Sequence, residues 1–76
     1  MIALNRTNLQ GRPFRLVEVF GEPATSIRSE GAQIIVKHHI RDIAEAWHLW
    51  VLGHDLQRAF HFLTPEERTF LLKGGA

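Results

Sequence analysis

"QIIVKHHIRDIAEAWHLWVLG", residues 33–53, holds the point at which the chain changes from strand to helix. On a wheel of about 100° per residue, Ile40, Ile43, Ala44, Trp47, Trp50 and Val51 share one arc of roughly 120°, the width of a core-facing stripe. Arg41, Asp42, Glu45 and His48 fall opposite. Run backwards, the same wheel throws Ile34 and Ile35 far out of phase. Ile34-Ile35-Val36 therefore reads as a strand apolar on both faces, which predicts a central position in a sheet. The helix is expected to begin near His39, where no good N-cap residue stands. Gly53 supplies a left-handed stop.

Upstream, "PFRLVEVFGEP" has the β-branched and aromatic content of a strand, bounded by Pro13 and the turn residues Gly21-Glu22-Pro23. "TSIRSEGAQIIVK" breaks at Ser29-Glu30-Gly31, predicting a short strand near Thr25–Arg28 and a stronger one at Gln33–Lys37. "MIAL" is a candidate edge strand. Downstream, Leu56, Ala59, Phe60 and Leu63 recur at helical spacing, with Asp55 placed to cap them. "LTPEERTFLLKGG" then carries the strongest local signal in the chain. Thr64 sits at the N-cap, Pro65 at the first helical position, and Glu67 completes a capping box. Glu66 and Glu67 suit the positive end of the helix dipole, Lys73 the negative end, and Gly74 ends the helix. Strands followed by three helices predict an α+β fold. A small antiparallel sheet in the N-terminal half packs against the C-terminal helices, and residues 1–76 form a single domain.

Composition narrows the function classes. Seventy-six residues leave room for one core, and a chain this short buries only about two-thirds of its unfolded surface, so self-association is a way to gain stability. The absence of cysteine removes disulfides, thiolate metal sites and cysteine nucleophiles together. The apolar run Leu49–Leu52 is far short of a membrane span of ~20 residues. "MIALNRTNLQGR" lacks the basic start and long apolar stretch of a signal peptide. The expectation is a soluble protein, cytoplasmic or part of a virion.

The net charge is +1 but unevenly spread. Arg6, Arg12, Arg15, Arg28, Lys37 and Arg41 outnumber Glu18, Glu22 and Glu30 in the first 41 residues, whereas acids predominate after them. A basic front and an acidic back can steer a partner.

The residues that carry chemistry form no constellation in the sequence. No two of the five histidines stand four apart, the spacing that lets a helix share one metal ion. His54 and His61 are seven apart, roughly 10 Å along a helix. His38 and Asp42 become helical neighbours only if the helix extends back to His38. The hydroxyls of Ser26, Ser29, Thr7, Thr25, Thr64 and Thr69 lie in no nucleophile elbow, and the glycines form no phosphate loop. A non-enzymatic protein without cofactor or metal is expected.

Binding has better support. Arg12 and Arg15 flank Phe14 on the first long strand, with Arg28 and Lys37 expected on its neighbours. Basic residues interleaved with aromatics on a sheet can hold single-stranded nucleic acid. Leu49 and Leu52 fall on the polar side of the first helix, and Phe62 and Leu72 are also off-phase in theirs. Such residues either meet a partner or are buried by the other helices. Arg12, Arg15, Arg28, Arg41, Leu49 and Leu52 are the candidate partner-binding residues.

The tail resembles a run found in small phage-encoded proteins of unassigned role, "Ile/Leu-Gln-x-Ala-Phe-Pro-x-Leu-Ser/Thr-x-x-Glu-Arg-Glu-Phe-Leu-x-x-Gly". Leu56, Gln57, Ala59, Phe60, Leu63, Thr64, Glu67, Arg68, Phe70, Leu71 and Gly74 match it, over a quarter of the chain. His61 stands where the pattern has proline, and Thr69 where it has glutamate. The resemblance implies a phage or mobile-element protein and brings no catalytic residues. By elimination, the expected function is binding and inhibition of a host protein or protein complex in the host cytoplasm. An anti-CRISPR protein is the most concrete version, and a homodimer is compatible with it. The alternatives are a small nucleic-acid-binding regulator and a structural or scaffolding component.

Overall fold

Four short strands pair in the order in which the chain makes them. β1 (Ala3–Thr7), β2 (Pro13–Glu18), β3 (Thr25–Ser29) and β4 (Ala32–Val36) form an antiparallel meander in a computed structural model that describes residues 2–74. The β3–β4 turn fixes the register at one end. Ser29 pairs with Ala32, so the loop is only Glu30 and Gly31, with φ of 42° and 85°. Two positive φ values make this the primed turn whose twist matches that of the strands it joins.

The expectation of a central strand at Ile34–Val36 is corrected: β4 lies at the sheet edge, paired with β3 alone. The chain leaves β4 directly for the helices, so the meander provides no strand beyond it. Ile34 is half-buried against the core, while Ile35 points to the other face and is 58% exposed. "MIAL" contributes to an edge strand, as expected, in β1; Met1 itself lies outside the described residues.

Three helices follow: α1 (Ile40–Val51), the single turn α2 (Leu56–Ala59) and α3 (Pro65–Lys73). His39 is itself the N-cap of α1, its Nδ1 accepting from the Arg41 N–H at 3.1 Å. Ile40, Ile43, Trp47 and Trp50 are buried as the wheel predicts, and Arg41, Asp42, Glu45 and His48 are exposed. Val51 departs from the prediction: it is 46% exposed, and Ala46 is buried in its stead. The α2 region packs beside Ala46 and draws that flank of the helix into the core, whereas Val51 lies towards β1.

The core fills the space between one sheet face and the helices. Phe14, Leu16, Ile27 and Val36 from the sheet meet Ile43, Trp47 and Trp50 of α1, with Phe60, Leu63 and Leu71 completing the cluster. Trp47 is its hub, with ring centroids 5.3 Å from Phe14, 5.4 Å from Trp50 and 6.0 Å from Phe60. Tilted and edge-on contacts of this kind add to the area term. Its Nε1 donates to the Thr7 carbonyl at 3.0 Å, so the buried indole has a partner and α1 is tied to β1.

The capping box at Thr64 forms as expected. The Thr64 N–H donates to Glu67 Oε1 at 2.8 Å and the Glu67 N–H donates to Thr64 Oγ1 at 3.2 Å. Asp55 occupies the N-cap position of α2 without a side-chain bond. At the far end of α3, Gly74 has φ 68°, and a Cβ there would come within 2.6 Å of Arg12 Cδ and 2.8 Å of Ser29 Oγ. Only glycine suits both the conformation and the close approach. No helix among the described residues is long and apolar enough to cross a membrane.

Candidate functional site

Alternation along the strands gives the sheet two unlike faces. Leu16 and Ile27 point into the helix layer and are fully buried. Arg15 and Arg28, their neighbours in sequence, therefore point the other way, where no helix packs, and both are exposed. The register places Asn5 opposite Arg15, Arg15 opposite Arg28, and Arg28 opposite Gln33. One row crossing all four strands thus reads Asn5–Arg15–Arg28–Gln33, with two cations side by side at its centre. The row above it, Ala3–Val17–Ser26–Ile35, is mostly apolar. Lys37, just beyond β4, alternates onto the same face and is exposed.

Hydrogen bonds organise this surface. Arg28 Nε donates to Ser26 Oγ at 3.3 Å, and Ser26 Oγ donates to Gln33 Oε1 at 3.1 Å. Ser26 and Val17 are almost completely buried, and Arg28 and Gln33 reach over Ser26 through these bonds. Around the arginine pair lies an open concavity of about 500 Å3, with Asn5, Pro13, Arg15, Arg28 and Gln33 on its walls.

The candidate partner-binding residues do not share one surface. Arg15 and Arg28 come together. Arg12 precedes β2 and forms an ion pair with Glu30 at 3.0 Å, so its charge is already engaged. Arg41 is exposed in the first turn of α1, in the helix layer. Leu49, on α1, and Leu52, its C-cap, are 38% and 65% exposed. Leu49 lines a shallow groove with Ala46, Ala59 and Phe62. The off-phase apolar residues thus divide. Phe62 packs against the core and against the His38 ring at 4.6 Å, whereas Leu49, Leu52 and Leu72 keep substantial exposure.

The interleaved-aromatic reading of the sheet is corrected. Phe14 is 2% exposed and faces the helices, on the side opposite Arg15, so no aromatic stands between the arginines. The pairing of His38 with Asp42 does not arise either, because α1 begins at Ile40; the His38 carbonyl instead accepts from Thr25 Oγ1 at 2.8 Å. Among the described residues, no three His, Cys, Asp or Glu side chains converge as metal ligands do.

Sequence reasoning missed Asn5, Ser26 and Gln33, because polar residues acquire a common row only through the register. Phe20, which by sequence could equally be core, is instead 88% exposed in the β2–β3 connection. The signal for Phe20 lies beside the Gly21-Glu22-Pro23 turn, where an aromatic has no strand to pack it. No protein family, curated protein or solved structure matches this chain.

Proposed function

We propose that this chain is a non-catalytic binding protein that seats an acidic surface of a partner protein on its helix-free sheet face. The observation that carries this reading is the direct cross-strand pairing of Arg15 with Arg28 on the helix-free sheet face, with the exposed Ile35 in the neighbouring row. Arginine is enriched at protein interfaces, whereas lysine is depleted there. Nucleic acid fits this face less well, since a single strand is held by stacking aromatics and by many cations along its backbone. Here the aromatic faces inward, and Lys37 is the third cation of the face.

The resemblance of residues 56–74 to phage-encoded proteins supports a host protein as the partner. Inhibition would follow if the chain covers a surface that the host protein needs, and an anti-CRISPR protein is the most concrete form of this proposal. Affinity capture from nuclease-treated bacterial lysate tests it. A stoichiometric protein partner that survives nuclease treatment and is released by salt is expected. Capture that disappears with the nuclease, or no stoichiometric protein, contradicts it.

A further inference from the structure

We infer that Arg15 and Arg28 together form an oxyanion seat for a carboxylate side chain, an inference that deepens the binding reading above and rests on it. The starting point is a repulsion. Like charges directly opposite one another on neighbouring strands destabilise a sheet, and the register puts these two guanidinium groups in that relation. Among the described residues, no acid forms an ion pair with either of them. Glu30, at the rim of the concavity, is engaged with Arg12, and Glu18 alternates to the helix-bearing side.

The surrounding groups offer donors and leave few acceptors. Asn5 and Gln33 bracket the pair within the row. The chain from Arg28 Nε to Ser26 Oγ to Gln33 Oε1 occupies one acceptor of Gln33 and the inner donor of Arg28. Among the described residues, the Gln33 amide N–H groups and both terminal nitrogens of Arg28 have no hydrogen-bond partner, and both residues line the concavity. Among the described residues, no hydrogen bond or ion pair engages the Arg15 guanidinium. Directly opposed residues have Cβ atoms about 5 Å apart, so one carboxylate above the row accepts from both guanidinium groups at once.

A carboxylate fits better than a phosphodiester because of the row beside the pair. Ile35, 58% exposed in that row, gives a protein partner apolar contact next to the charge, which lowers the local dielectric and strengthens the charge-assisted bonds. A nucleic-acid strand would find neither a stacking surface nor a track of further cations there.

Guanidinium-resolved NMR at fixed ionic strength tests the inference, with acetate, inorganic phosphate and chloride as probes. Acetate is expected to shift the Nε–H signals of both Arg15 and Arg28 saturably, with chloride giving no saturable change. Arg28→Gln is expected to weaken acetate binding about fivefold, the upper range for an exposed charge contact. The same variant should melt at a higher temperature than the parent in the absence of anion, since it removes the repulsion.

Equal responses to acetate and chloride, or acetate affinity unchanged in Arg28→Gln, overturn the seat. Phosphate saturating at a lower concentration than acetate overturns the carboxylate assignment. The two readings fail separately. A protein partner captured in the absence of a saturable acetate response removes the seat and leaves the binding function, and saturable acetate binding without any partner does the reverse.

Discussion

Asn8 reaches Leu71 across 63 residues of chain, its Nδ2 donating to the Leu71 carbonyl at 3.0 Å. The same amide nitrogen donates to the Leu72 carbonyl at 3.2 Å, and its Oδ1 accepts from the backbone N–H groups of Gln10 and Arg12. One buried side chain therefore shapes the β1–β2 turn and satisfies the last carbonyls of α3, which have no partner within the helix.

Replacing Asn8 by Ala removes the partner of the buried Leu71 carbonyl and of the part-buried Leu72 carbonyl and Gln10 and Arg12 N–H groups. A loss of about 2–3 kcal/mol is expected, lowering the melting temperature by roughly 10–20 °C for a domain of this size. Asn8→Asp separates the two roles, since it keeps the turn acceptor but sets an anion against the negative end of α3. Thermal unfolding of Asn8→Asp should also show a clear loss. Wild-type stability in that variant would mean that only the turn matters.

Glu30 sits at φ 42°, a left-handed conformation that glutamate adopts at a cost and asparagine tolerates well. Glu30→Asn also removes the ion pair with Arg12, whose side chains are 33% and 62% exposed, so that loss is small. The expected net effect is a gain of about 0.5 kcal/mol, read as a modest rise in melting temperature. Arg12→Ala measured alongside isolates the contribution of the ion pair.

His39 caps α1 with a ring nitrogen, whereas aspartate is among the preferred N-cap residues. His39→Asp should stabilise the domain by about 0.5–1 kcal/mol through a better acceptor and a favourable charge at the helix start. Chemical denaturation checks this: a midpoint shifted upwards with unchanged slope is expected. A downward shift would show that the imidazole does more than cap.

The parts of the fold that the sequence makes legible are local ones. Thr64, Pro65 and Glu67 specify a helix start within four residues, and Ser29-Glu30-Gly31 specifies a hairpin between two runs of strand formers. The position of β4 is not local. Ile34 and Ile35 are apolar whether the second face is covered by protein or left bare, and strand order depends on the path of the whole chain. The candidate site follows the same division. Arginines at 15 and 28 are visible in the sequence, but their opposition depends on register, as do the positions of Asn5 and Gln33. Phe14 reads in the sequence as a member of the basic face, but period-two alternation, anchored by the burial of Leu16 and Ile27, turns it towards the helices.

The helix-free sheet face, rather than the exposed leucines of α1, is the surface that this account assigns to the partner. The most direct test is the dissociation constant of the captured partner for two double variants measured side by side. Arg15→Glu/Arg28→Glu should weaken binding at least about tenfold, since reversed charges meet an acidic surface. Leu49→Ser/Leu52→Ser should change it less than about threefold, within the range of contacts outside an interface. Loss of binding in the leucine variant with full affinity in the arginine variant would contradict the account and move the interface to α1.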